Sequence, residues 1–173
     1  MFCQKRFFLV AVVGTLGLCL SVSAFGKDLT SRLGIGIKNN NSQDLPALAT
    51  VYYPNPDFGV TGSLGLDTQR NASKFSINGG IRRILFREER MNFYFGGHLG
   101  LVNYEGYNAD SPPTIEKQSG FELSAIFGAE FFLPGLDSLA FTFEGGTGIS
   151  SMKEIRFRTI GDHPLRAGII FYF

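Results

Sequence analysis

The chain ends in the stretch Leu165-Arg166-Ala167-Gly168-Ile169-Ile170-Phe171-Tyr172-Phe173, which decides its fold. Every odd position in this stretch is apolar, whereas the even positions are a mixed and partly polar set. Alternation with a period of two predicts a β-strand with one apolar face. A frayed chain end would gain little from five apolar side chains and a closing Phe. The stretch therefore predicts a strand that closes a barrel with an apolar outer face.

Runs with the same period precede this closing strand and are separated by polar or Pro-containing breakers. Their apolar positions recur at every second residue, which excludes an amphipathic helix. The 22 glycines in 173 residues also disfavour helices. The seven upstream runs have apolar faces that begin at Leu33, Ala47, Phe58, Phe75, Met91, Phe121 and Leu139. Together with the closing strand they predict an all-β, eight-stranded, antiparallel, up-and-down transmembrane β-barrel.

The connections between these strands alternate in length. Three of them are short turns, at residues 54–57, 87–90 and 134–137. The connections after the first, third, fifth and seventh strands are polar and generally longer, and the two largest loops are predicted at 104–119 and 150–163. Short turns at one end and longer loops at the other are typical of bacterial outer-membrane barrels. An even number of strands places both chain ends on the side of the short turns.

The polar face of the strands carries many glycines and charges of both signs, which indicates that this face lines a narrow lumen. Glycine would weaken a solvated outer surface, whereas inside a narrow barrel it makes room for longer neighbours. Charges in such a lumen need partners, and neighbouring strands could pair Glu144 with Arg166. The predicted lumen polar network consists of Arg32, Arg82, His98, Glu122, Glu130, Glu144 and Arg166.

Aromatic residues on the apolar face gather near the strand ends, as in the interfacial girdles of membrane barrels. On the second strand, the apolar face is predicted to be Ala47, Ala49, Val51 and Tyr53, with Tyr53 in the girdle of the short-turn side. Arg83 also lies on the nominal apolar face. Its side chain either snorkels to the interface, or a bulge at Gly79-Gly80 turns it inward.

Alternation alone also fits a soluble barrel, which would carry its apolar face inward and mixed charges outward. A soluble periplasmic barrel that binds a small apolar ligand is therefore an alternative interpretation.

The beginning of the chain has the pattern of an export signal. Lys5 and Arg6 precede an uncharged run, and small residues at 22–24 favour cleavage after Ala24. We therefore predict a signal peptide over residues 1–24 and an outer-membrane barrel domain over residues 25–173. Cys3 and Cys19 would leave with the signal peptide, and the remaining chain would have no thiol. Cleavage removes two of the 16 basic residues and none of the 15 acidic ones, so a nucleic-acid partner is not expected.

The signal peptide, the eight alternating strands and the Phe-terminated last strand together resemble the small eight-stranded outer-membrane barrels of the OmpX and OmpA type. The resemblance covers the architecture of residues 25–173. It implies that Phe171 and Phe173 form the assembly signal read by the barrel-assembly machinery, and it implies periplasmic chaperones as further partners. We expect a monomer in the outer membrane of a Gram-negative cell, in contact with outer-membrane lipids and lipopolysaccharide. Arg156 and Arg158, in a predicted loop, are candidates for contact with lipopolysaccharide phosphates.

Catalytic patterns are weak in this sequence. Lipid A deacylases of this barrel size use a His-x-Ser pair with a distant carboxylate, but neither His98 nor His163 has a serine two residues later. No cluster of residues suggests a metal or another cofactor. Inward side chains would obstruct an eight-stranded lumen, so an open channel is not expected. The sequence predicts a non-enzymatic protein with a structural or surface-interaction role, and a lipid-modifying outer-membrane enzyme is a further alternative.

Overall fold

The computed structural model describes residues 27–39, 45–108, 114–152, 154–159 and 166–173. The predicted signal peptide, residues 1–24, lies outside these ranges. No helix in the described part of the chain is long and apolar enough to cross a membrane. The strands, in chain order, are β1 Leu33–Asn39, β2 Pro46–Asn55, β3 Phe58–Asp67, β4 Lys74–Glu88, β5 Met91–Asn108, β6 Thr114–Phe132, β7 Leu139–Ser151, β8 Ile155–Thr159 and β9 Arg166–Tyr172.

The strands form one closed antiparallel sheet. Each strand from β1 to β7 pairs with the next one along the chain, and β9 pairs with both β7 and β1. At the closing seam Gly34 lies opposite Tyr172, and the Phe173 N–H donates to the Leu33 carbonyl oxygen at 2.9 Å. The closing role predicted for the last strand is thus confirmed, and so is the eight-stranded antiparallel barrel.

The ninth strand does not widen the barrel, because β8 and β9 share one position in the wall. The Thr147–Ser151 part of β7 pairs with β8, and its Leu139–Glu144 part pairs with β9. Both partners run antiparallel to β7, so together they occupy the eighth position of the wall. Residues 160–165, which include Leu165 of the closing stretch, lie outside the described ranges. The loop predicted at 150–163 is therefore wrong over β8, where Ile155 and Phe157 alternate with two arginines in a short period-two signal.

At the loop end, the structure differs from the prediction in the hairpin of β5 and β6, which extends beyond the paired part of β4. The last pair between β4 and β5 is Lys74 with Tyr104, whereas β5 and β6 remain paired as far as Asn108 with Thr114. The predicted loop at 104–119 is therefore largely strand. Lys117 Nζ lies 2.6 Å from Glu105 Oε1 on this extension, and its hydrogen bond lowers the pKa of the Glu105 carboxyl.

Most large apolar side chains point outward around the barrel. The inner face carries mainly small and polar residues, with a smaller buried apolar set that includes Ile126, Phe132 and Ile170. The second strand has the opposite facing from the predicted one. Val51 and Tyr53 are buried inside with Ala47 and Ala49, whereas Leu48 is exposed outside. Register explains this facing, since Leu48 lies between Ile37 on β1 and Leu64 on β3, which are also exposed.

Arg83 faces outward, which excludes the inward alternative. The pairing of β3 with β4 continues without interruption through Gly79 and Gly80. A bulge occurs further along β4 instead, between Ile84 and Phe86, where the pairing with β5 shifts. It leaves Ile84 buried inside and Phe86 exposed outside.

Candidate functional site

The interior of the barrel contains two charged clusters at different heights. The turn-side cluster lies toward the short turns and consists of Arg82, Glu130, Tyr53 and Tyr172. The loop-side cluster consists of Lys38, Glu144 and Arg166. Tyr94 lies between them and contacts both. These side chains come from seven different positions of the wall, so only the closed barrel brings them together.

The turn-side cluster is centred on an ion pair that is shielded from solvent. Arg82 Nη2 lies 2.7 Å from Glu130 Oε1, and the two side chains are 1% and 0% exposed. Arg82 Nη2 also donates to the Tyr172 hydroxyl at 2.8 Å. The Tyr53 hydroxyl donates to Glu130 Oε2 at 3.2 Å, and the Tyr172 hydroxyl donates to Glu130 Oε1. The carboxylate therefore has three donors, which is the arrangement that a buried ion pair needs in order to be stable.

Aromatic rings complete the surroundings of the Arg82 guanidinium. Its Cζ atom lies 4.8 Å from the centre of the Tyr53 ring and 4.5 Å from that of the Tyr94 ring. Both distances are within the range of a cation–π contact. Tyr53 was missed as a lumen residue because the facing of β2 was predicted the wrong way round.

The loop-side cluster joins two cations to one carboxylate. Glu144 Oε2 lies 3.5 Å from Arg166 Nη2 and 3.6 Å from Lys38 Nζ. The Tyr94 hydroxyl donates to Glu144 Oε1 at 2.8 Å. Arg166 points into the lumen, and β7 and β9 place Glu144 directly opposite it. Lys38 was missed, although its position on the same face as Gly34 and Gly36 could have identified it.

His98 and Glu122 are also inside the barrel, but neither joins the two ion-pair clusters through a direct salt bridge among the described residues. His98 is buried on β5, and Glu122 is buried on β6. Within the described ranges, His98 Nε2 has no hydrogen-bond partner, and Glu122 Oε2 accepts no hydrogen bond. Within those ranges there is also no group of three or more His, Cys, Asp or Glu residues that could hold a metal ion.

Arg32 is the one member of the predicted lumen network that lies outside the lumen. It precedes β1 at the rim of the turn side and is half-buried there. Its Nη2 atom donates to Ser138 Oγ and to the Tyr172 carbonyl oxygen, both at 2.9 Å. The alternation of β1 begins only at Leu33, so the facing of the residue before it could not be read from the pattern.

Glycines on the inner face provide the space that these large side chains occupy. A Cβ atom on Gly34 would lie 2.6 Å from the Tyr172 ring, and one on Gly128 would lie 2.5 Å from the Tyr94 ring. Both distances are too short for van der Waals contact, so the rings are seated directly on the glycine backbone. The expectation that inward glycines make room for longer neighbours is confirmed at these positions.

Replacement of Gly128 by Ala is expected to lower the free energy of unfolding by about 1–3 kcal/mol, since the new methyl group overpacks the lumen against Tyr94. Gly97→Ala is the matched control. A Cβ at Gly97 would have its nearest neighbour, the Ser124 carbonyl oxygen, at 3.7 Å. Denaturant titration of the refolded proteins measures both effects. Equal stability of the two variants would contradict the prediction.

Comparison with known proteins gives a relationship at the level of fold. No protein-family model and no curated protein matches the sequence. Among solved structures, the N-terminal β-barrel domain of Pseudomonas aeruginosa OprF is similar, with a TM-score of 0.56 and 14% sequence identity over 83% of this chain and 98% of that one. Neisserial surface protein A (NspA) has a TM-score of 0.48 and 13% identity over 82% of this chain and 94% of that one. The similarity to the OprF barrel confirms, in architecture, the resemblance to the small eight-stranded outer-membrane barrels.

Proposed function

We propose that this protein is a monomeric, non-enzymatic β-barrel of a Gram-negative outer membrane, with a structural or surface-interaction role. The observation that carries the proposal is the distribution of side chains across the closed wall. The outside is apolar, and the charged residues Arg82, Glu130, Glu144 and Arg166 are buried inside. A soluble ligand-binding barrel has the opposite distribution.

The outer surface supports a lipid environment on energetic grounds. Ile37, Leu99 and Leu101 are each about 60% exposed, and similar residues surround them on neighbouring strands. Soluble monomers rarely expose contiguous apolar patches of more than a few hundred Å². In a bilayer the same surface contacts acyl chains, and the closed sheet leaves no unpaired backbone edge facing lipid over its paired part.

The interior supports a structural role over conduction. The turn-side cluster and Tyr94 fill the lumen with side chains that are almost fully buried. The interior of an eight-stranded barrel is just wide enough for such packing. The buried histidine, His98, lies opposite Ser124 on β6, but the residue two positions after His98 is a glycine. His98 is therefore not part of a His-x-Ser pair, which supports the non-enzymatic part of the proposal.

The two ends of the barrel would contact different partners. The β5–β6 hairpin extends beyond the paired part of β4 at the loop end, where we propose contact with other surface molecules. Arg156 on β8 is exposed there and is available to lipopolysaccharide phosphates. At the other end, Phe171 and Phe173 are exposed on the outside with ring centres 5.0 Å apart. This aromatic pair is the proposed recognition element for the barrel-assembly machinery, after delivery by periplasmic chaperones.

Membrane fractionation tests the proposed function. We expect the protein to be recovered with outer membranes and to migrate faster on a gel when it is not heated, because a closed barrel resists unfolding by detergent. Recovery in the soluble periplasmic fraction would refute the membrane assignment. Mass spectrometry of lipid A from cells that lack or overproduce the protein tests the non-enzymatic assignment. A change in acylation that depends on the protein would overturn it.

A further inference from the structure

Residues 27–32, which directly precede β1, cross the turn-side mouth of the barrel. In the ring of eight wall positions, β5 lies opposite β1. The Lys27 carbonyl oxygen nevertheless accepts a hydrogen bond from Asn92 Nδ2 on β5, at 3.2 Å. Arg32, at the other end of the segment, contacts Tyr172 on β9, beside β1. The segment therefore spans the diameter of the mouth.

The segment is attached at further points around the rim. The Ser31 N–H donates to the Tyr53 carbonyl oxygen at 2.7 Å, at the end of β2. Lys27 Nζ lies 3.1 Å from Asp137 Oδ2, in the turn between β6 and β7. The same turn is held by the hydrogen bond from Arg32 to Ser138. With the contacts to β5 and β9, these bonds tie the segment to four places on the barrel end.

The segment is folded into a compact turn and does not simply leave the barrel. The Arg32 N–H donates to the Leu29 carbonyl oxygen at 3.0 Å, and Ser31 has a φ of 60°. A left-handed conformation at a residue other than glycine costs free energy, so the surrounding contacts must hold it in place. The Thr30 hydroxyl and N–H both donate to Asp28 Oδ1, at 2.5 and 2.9 Å. The hydroxyl contact is the main cause of the lowered pKa of the Asp28 carboxyl.

Leu29 points from this turn into the barrel. It is 3% exposed, in a chain segment whose neighbour Asp28 is exposed. Its buried apolar cluster includes Phe132, Ile84 and Tyr172. Tyr172 also belongs to the turn-side cluster, so a single apolar cluster joins Leu29, in the segment at the mouth, to the turn-side cluster.

We propose that residues 27–32 form an N-terminal cork, which closes the turn-side mouth and keeps water away from the Arg82–Glu130 pair. An ordinary anchored terminus would tie the chain down without sealing the lumen. The proposal depends on the barrel geometry alone and holds whether or not the outer-membrane role is correct.

Thiol labelling tests the seal. The full chain carries Cys3→Ser and Cys19→Ser, so that the only thiol is the one introduced by Val51→Cys, a lumen position in the same apolar cluster as Leu29. The folded protein in detergent is treated with a charged maleimide. We expect slow labelling of the Val51→Cys protein with the native Leu29. Labelling should become about tenfold faster or more when Leu29→Asp is added, since the mouth then opens locally more often. Glu89→Cys in an exposed turn gives the rate for an accessible thiol.

Leu136→Asp is the matched control, because Leu136 lies at the same end of the barrel but is exposed. Only protein that keeps heat-modifiable migration is scored. Leu29→Gly removes the side chain without introducing a charge and is read in the same way if Leu29→Asp does not fold. Fast labelling of Val51→Cys with the native Leu29 would overturn the cork. So would an unchanged rate in the folded Leu29 variants, or an equal acceleration by Leu136→Asp.

Discussion

Replacement of Glu130 by Leu is expected to lower the free energy of unfolding by about 3–5 kcal/mol, which is the usual cost of leaving one partner of a buried ion pair without the other. Arg82 would keep its charge at a position where it is 2% exposed. The hydroxyl groups of Tyr53 and Tyr172 would lose their acceptor at the same time.

Denaturant titration of the refolded barrel in detergent measures this effect. Glu89→Leu is the control, because the Glu89 side chain is 87% exposed and its substitution should change stability by no more than about 0.5 kcal/mol. The double variant Arg82→Leu/Glu130→Leu should recover part of the loss, since it removes the unpaired charge together with its partner. A Glu130→Leu variant as stable as the Glu89→Leu control would show that the ion pair contributes little.

The second large effect is expected on the outer face. Leu99→Arg should destabilise the protein in lipid vesicles by about 2–4 kcal/mol, as for arginine facing lipid near the bilayer midplane. Leu99 is 60% exposed and lies in the middle of the outer face, opposite Leu123 on β6. On a surface in water the same substitution would cost little, so the result reports directly on the environment of the barrel.

Denaturant unfolding in lipid vesicles measures the stability of this variant against that of the unsubstituted protein. Glu89→Arg is the control, because the turn that contains Glu89 extends beyond the paired wall. Arginine substitutions at other outward positions of β5 should destabilise the protein less the closer they lie to either end of the barrel. A cost within about 0.5 kcal/mol, which is the usual range for surface positions, would contradict a lipid-facing Leu99 and with it the proposed membrane role.

The sequence predicts facing well where a strand has one clearly apolar and one clearly polar face. It predicts Glu144 and Arg166 on the inner face and as a possible pair, and they lie opposite each other on β7 and β9. Arg82, Glu122 and Glu130 also lie inside, where their polar character among outward apolar neighbours indicated their facing. Such residues occupy the polar positions of a clear alternation, so their side of the sheet follows from the sequence.

Where both faces of a strand have similar character, the sequence does not determine which face points inward. On β2 the set Ala47, Ala49, Val51 and Tyr53 alternates with a set that contains Leu48 and Tyr52. Either set could face lipid, so the hydrophobic pattern does not define the facing. Pairing with β1 and β3 decided it. The ion pair between Lys38 and Glu144 also cannot be predicted from the strand pattern. The two residues are more than 100 positions apart, and only closure of the barrel brings them together.

The sequence by itself determined the strand period, the closing role of the last strand and the inward facing of most of the charged residues in the lumen. These properties are local, because the side-chain alternation of a β-strand depends only on its own residues. Tertiary structure decided the facing of β2, the pairing of both β8 and β9 with β7, and the path of residues 27–32 across the mouth. Those features depend on register and on contacts between distant strands, for which a single strand carries no signal.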